Sequence, residues 1–124
     1  MRIQIRLCLL LTGLMALRLT NAADFSSEWL LASSVNTNPV AIRCALQQQG
    51  AQLRGQCQPQ VEGIEPSILT GDTDGVSARW GYDVVFRGNP GHVAYEATLN
   101  GDGTLTGTMF LSGMPQAFTA SRIP

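Results

Sequence analysis

The chain of 124 residues contains no lysine and one histidine, His92. After residue 23 it keeps five arginines (43, 54, 79, 87 and 122) against nine carboxylates, five minus nine giving a formal charge near −4. No basic patch suits nucleic acid, and an anionic membrane surface is equally unpromising as a partner. With a single histidine no HExxH motif exists, and no Ser/His/Asp set assembles from the spacing. The three cysteines, Cys8, Cys44 and Cys57, lack the Cys-x-x-Cys spacing of redox or metal pairs. Nothing in the chain asks for a cofactor or a metal. The longest apolar run, Leu7 to Leu17, is broken by Thr12 and Gly13. It falls short of the ~20 residues that a spanning helix needs. Beyond it no stretch has helical periodicity, so the expectation is an all-β protein.

What is there begins with Arg2, Arg6, the apolar run and Thr20-Asn-Ala-Ala-Asp24. A charged start, a short apolar run and small residues before a polar stretch predict a signal peptide over residues 1–23, cleaved after Ala22 or Ala23. Residues 24–124 then form one small domain. Cys8 leaves with the signal, and Cys44 and Cys57 remain as a pair. Export to the periplasm or the exterior provides the oxidising compartment in which such a pair bonds.

The segment Val40–Gln58 fixes the pairing. Gly50-Ala51 suits the centre of a type II′ hairpin turn, with glycine first. Counting outward pairs Gln49 with Gln52, Gln47 with Arg54, Leu46 with Gly55 and Cys44 with Cys57. The last is a non-hydrogen-bonded pair, with Cα atoms roughly 4.5 Å apart, within the reach of a disulfide. Ile42, Cys44, Leu46, Leu53 and Cys57 then share an inward face.

Other runs alternate in the same way. Trp29 and Leu31 mark a first strand, followed by a loop over residues 33–39. A short run, Ser67–Thr70, stops at Gly71. Val76, Ala78, Trp80, Tyr82, Val84 and Phe86 share one face of the longest run. Val93, Tyr95, Ala97 and Leu99 follow, then Leu105, Met109 and Leu111, then Phe118 and Ala120. Period-two alternation of this kind marks half-buried antiparallel strands. About eight strands with short connections predict a small up-and-down barrel, with a two-sheet sandwich as the alternative. Gly55 and Gly107 fall inside strands on the inward face, where glycine marks a bend or a close backbone approach.

Trp80, Tyr82, Tyr95 and Trp29 are the candidate binding residues, set against a reading in which they fill the core. Asp72–Gly75 and Asn100–Gly103 lack the ligand series of a calcium loop and read as turns. The carboxylate pairs Glu62/Glu65 and Asp83/Glu96 are the candidates for acid/base hydrolysis. They lie in a loop and on outward faces, so the expectation is a protein that is not an enzyme. The outward Arg43, Arg54, Arg79 and Arg87 read as a solvated face or a protein-recognition surface.

The strand count and the shared order of turn glycine, leucine and strand glycine at Gly50–Gly55 and Gly103–Gly107 resemble calycin-type barrels, the group of avidins and lipocalins. Ser27-Glu28-Trp29 differs from the lipocalin Gly-x-Trp start. Ser26-Ser-Glu-Trp29-Leu-Leu31, followed by Cys44 and Cys57, resembles the periplasmic inhibitors of secreted metalloproteases. That resemblance implies an eight-stranded barrel, a disulfide and an N-terminal arm acting on a protease. The arm available here, from the cleavage site to Trp29, is about six residues long. The expectation is an exported barrel that binds a small apolar molecule or a protein partner. Protease inhibition and carboxylate hydrolysis are the alternatives, and the oligomeric state is open.

Overall fold

A computed structural model describes residues 24–124. The expected signal peptide, residues 1–23, lies outside the described residues. Eight strands form a closed antiparallel barrel in which each pairs with its sequence neighbours and the last pairs with the first. They are β1 (Ser27–Val35), β2 (Asn38–Gln49), β3 (Gln52–Pro59), β4 (Ser67–Thr73), β5 (Ser77–Phe86), β6 (Asn89–Leu99), β7 (Leu105–Leu111) and β8 (Met114–Arg122). Alternation sends one set of side chains inward, and closure leaves no unpaired sheet edge.

The β2–β3 register pairs Cys44 with Cys57 and Gln49 with Gln52. The disulfide is formed, its Cα atoms 4.0 Å apart and both cysteines fully buried. Gly50 has φ 62° and Ala51 is not left-handed, as the type II′ turn requires.

The other end of the barrel turns differently. Asn36 and Thr37 have φ 50° and 69°, Arg87 and Gly88 53° and 83°, and Ser112 and Gly113 47° and 88°. Both central residues are left-handed, which is the type I′ geometry that matches strand twist. The expected loop over 33–39 is therefore two residues long, and Gly91 and Pro115 lie in strands. The expected stop at Gly71 is also corrected: β4 runs on to Thr73. A Cβ on Gly71 would lie 2.0 Å from the Arg79 carbonyl oxygen and 2.7 Å from the Trp80 Cα. The glycine admits the neighbouring backbone instead of ending the strand. Gly55 and Gly107 do the same, a Cβ falling 1.8 Å from the Ala45 oxygen and 1.9 Å from the Glu96 oxygen. Val76, expected inward, precedes β5 and is 63% exposed.

The interior is packed. Trp29, Leu31, Leu53, Leu69, Trp80, Tyr82, Tyr95, Leu105, Met109 and Phe118 belong to one buried cluster with the disulfide. Trp80 stacks on Tyr95 at 5.1 Å between centroids, and Phe118 meets both rings edge-on. Outward strand positions carry Arg43, Arg54, Asp72, Arg79, Asp83 and Glu96. Apolar inside and charged outside is the reverse of a membrane-spanning barrel. Among the described residues no helix is long and apolar enough to cross a membrane.

Candidate binding recess at one mouth of the barrel

The two ends of the barrel differ. At the end carrying the β2–β3 turn, residues 24–26 fold back and seal the floor. The Phe25 amide donates to Gln48 Oε1 (2.9 Å), and the Gln48 amide donates to Ser26 Oγ (2.8 Å). Trp29 Nε1 donates to the Phe25 carbonyl at 2.9 Å. The Arg122 guanidinium lies 4.5 Å above the Trp29 ring and donates to the carbonyls of Asp24 and Ser26. Phe25 and Trp29 have no exposed surface.

The opposite end is open. An apolar recess of about 160 Å³ enters the barrel there. Val35, Val40, Val84, Phe86 and Leu111 form its walls, and Val61 and Ile64 of the β3–β4 loop lean in from one side. Tyr82, Tyr95 and Met109 lie at its floor. No polar atom opens into it. A larger volume of about 380 Å³ lies on the outer wall among Ser77, Arg79, Glu96 and Thr108, but it is an open dent between polar side chains.

Prolines shape the rim. Pro39, Pro90 and Pro115 each stand at the second position of the strand leaving a type I′ turn, opposite Ser34, Val85 and Phe110. Pro59 stands opposite Ile42 at the end of β3, and Pro66 closes the loop that follows. Counting from the two-residue turns, the four strand prolines occupy non-hydrogen-bonded positions. Their nitrogens face the other neighbouring strand, beyond its last registered pair. A missing N–H costs nothing there, and a fixed φ stiffens the rim.

The candidate residues named from sequence are thus distributed. Tyr82 and Tyr95 border the recess, Trp80 lies packed against Tyr95, and Trp29 seals the floor at the far end. The tyrosine hydroxyls meet each other at 2.6 Å. Burial pushes Tyr82 up to about 12, and burial together with Tyr82 pushes Tyr95 further up. Trp80 Nε1 is buried without an acceptor among the described residues. Its ring stands edge-on to Phe118. Sequence reading missed the recess walls, whose signal was present as the half-buried ends of alternating runs beside Asn-Pro and Gly-Met-Pro.

Of the candidate carboxylates, Asp83 has a side-chain partner, and it lies on the outer wall. Asp83 bonds His92 Nδ1 at 2.8 Å on the outer wall, and Arg79 approaches Asp72 at 3.5 Å. Asp74 Oδ1 accepts from the amides of Val76 and Ser77, and Asp102 Oδ1 from the Thr104 amide and hydroxyl. These bonds hold both carboxyls below their ordinary range. Each closes its own turn.

No known family model matches the chain, and a search of curated proteins finds no similar sequence.

Proposed function

We propose that this protein is an exported, non-enzymatic barrel that binds a small apolar molecule at the recess above Tyr82 and Tyr95. The carrying observation is an entirely apolar pocket at one mouth of a barrel whose other mouth is sealed. Its volume sets the ligand. Pockets for drug-sized molecules occupy about 300–1,000 Å³, whereas an apolar cavity near 150 Å³ stays dry and accepts a single aromatic ring. The recess of about 160 Å³ suits one ring or a short branched alkyl group, with any polar substituent left in water. The proline rim supports this reading, because a preformed site loses little conformational freedom on binding.

The test is an NMR titration with benzene and cyclohexane. Shifts should centre on Val84, Val93, Met109 and Leu111. Val84→Asp, at the half-buried wall, should abolish them while leaving the circular dichroism spectrum intact. Absence of shifts at saturating ligand would remove the reading.

A second reading uses the same mouth for a protein partner. Val85 and Met114, 59% and 64% exposed, flank the turns at this end, and Val61 of the loop is 36% exposed. An apolar side chain from a partner would fill the recess as a ring does. Protease inhibition through an N-terminal arm has less support. Asp24, Phe25 and Ser26 are bound to Gln48, Trp29 and Arg122. Hydrolysis by Asp83 and Glu96 also has less support, because both stand on the outer wall away from enclosed space.

A further inference from the structure

Three of the four connections at the open end are two-residue turns, 36–37, 87–88 and 112–113, and their backbone is set by the twist of the strands they join. The fourth is the β3–β4 loop, residues 60–66. Strand pairing gives out around it. β4 meets β3 from Ser67, opposite Cys57, and meets β5 from Thr70, opposite Gly81. Tyr82, Val84 and Phe86, the β5 residues that wall the recess, lie beyond that last pair, and the loop adds Val61 and Ile64 to the same recess. The loop is lightly held. The Gln60 amide donates to the Ala41 carbonyl at 2.8 Å and so extends the β2–β3 pairing by one residue. Past Gln60, among the described residues, one hydrogen bond ties the loop to a strand: Gln58 Nε2 donates to the Ile64 carbonyl at 3.0 Å. The Ile64 amide bonds within the loop, to the Val61 carbonyl at 3.3 Å. A Cβ on Gly63 would meet nothing within 4 Å, so there is room around the tip. Val61 is exposed and Ile64 half-buried. A segment with so few buried contacts and bonds opens more easily than the sheet around it.

We propose that this loop is the gate of the recess: it moves away to admit a ligand and closes on it through Val61 and Ile64. The gate rests on the apolar-ligand reading above and adds to it how the ligand enters and what sets its release. Pro59 and Pro66 bracket the loop with a fixed φ at each end, which confines the movement to the residues between them. The two-residue turns keep the rest of the rim in place. A bound ring touches Val61 and Ile64 only while the loop is closed, so binding favours the closed state by that difference in contact. Release then waits on opening. Gln58 is the latch. It is a positioning residue on β3 whose amide holds the loop, and its side chain does not line the recess.

The test is NMR relaxation dispersion on the methyl groups of Val61 and Ile64, with and without benzene. It is joined to the benzene dissociation rate in wild type and in Gln58→Leu, which removes the donor and keeps a side chain of similar size. In the free protein both methyl-bearing residues should exchange on the microsecond-to-millisecond scale of loop opening, and saturating benzene should quench that exchange. Gln58→Leu should speed dissociation about three-fold or more, the loss of one ordinary hydrogen bond from the closed state. Benzene that binds while Val61 and Ile64 show no exchange, or while Gln58→Leu leaves the dissociation rate unchanged, overturns the gate and leaves the binding reading standing. Absence of any benzene shift removes the binding reading and the gate with it. If Gln58→Leu does not fold, Val61→Ser on the loop itself takes its place, because it removes a closing contact; an unchanged dissociation rate there overturns the gate equally.

Discussion

Tyr82 and Tyr95 are the two tyrosines of the chain, and they share one buried hydroxyl contact. Burial raises the Tyr82 pKa to about 12 and pushes Tyr95 further in the same direction. An unfolded tyrosine releases its proton near pH 10. Above that pH the folded state holds protons that the unfolded state has lost, so stability falls as pH rises. The contribution is intact below pH 10 and lost progressively towards pH 12, with Tyr82 accounting for on the order of 2–3 kcal/mol. The chain has no lysine to add a titration of its own in that window. Tyrosinate absorbance should therefore rise in one steep step together with unfolding. Smooth titration of a folded protein near pH 10 would contradict the burial argument. The strand glycines make a second claim at this scale. Gly107→Ala drives a methyl group to within 1.9 Å of the Glu96 carbonyl oxygen, and the sheet must part to admit it. It should cost about 3 kcal/mol or more in a urea titration. Gly101→Ala meets nothing within 4 Å and should stay within about 0.5 kcal/mol of wild type.

At the scale of elements, the hairpin β2–β3 follows from local rules alone. A two-residue turn beginning with glycine sets the register, and the register brings Cys44 opposite Cys57. The closed loop spans 13 residues, and such a loop contributes about 3 kcal/mol in the chain-entropy account. Replacing both cysteines by alanine should lower Tm, each kcal/mol being worth about 4–8 °C in a domain of this size. An unchanged Tm would mean that the bond adds nothing to what the packed core already holds. The type I′ hairpins were harder to read. Thr37, Arg87 and Ser112 are not residues that announce a left-handed backbone, yet each takes φ between 47° and 69°. The flanking strands impose it, because only a turn of that hand keeps their twist continuous. The prolines two and three residues on then look like loop residues, although they stand in strands whose outer neighbour has ended.

At the scale of the molecule, the barrel closes by pairing Trp29 with Arg122 across nearly the whole described chain. That closure sets Arg122 over the Trp29 ring and ties residues 24–26 to the floor, which leaves one mouth open. A ligand bound only by the folded barrel stabilises it by RT ln(1 + [L]/Kd), about 2.7 kcal/mol at a hundred times Kd. Benzene should therefore raise the unfolding midpoint of wild type and leave Val84→Asp unmoved; equal shifts in both would place the effect outside the recess.

The sequence by itself determined the strand class, the hairpin register, the disulfide and, Val76 apart, which strand side chains turn inward, because alternation and turn chemistry act between near neighbours. Eight strands with short connections also made a barrel the natural closure. Only the tertiary structure decided which inward side chains meet. Trp29 and Tyr95 are equally inward in the alternation, yet one plugs the floor and the other borders the recess. The same holds for the closing seam, which joins Trp29–Ala32 to Thr119–Arg122. Contacts of that separation depend on how the sheet curves and closes, and curvature is set jointly by bends such as Gly55, Gly71 and Gly107 rather than by any one segment.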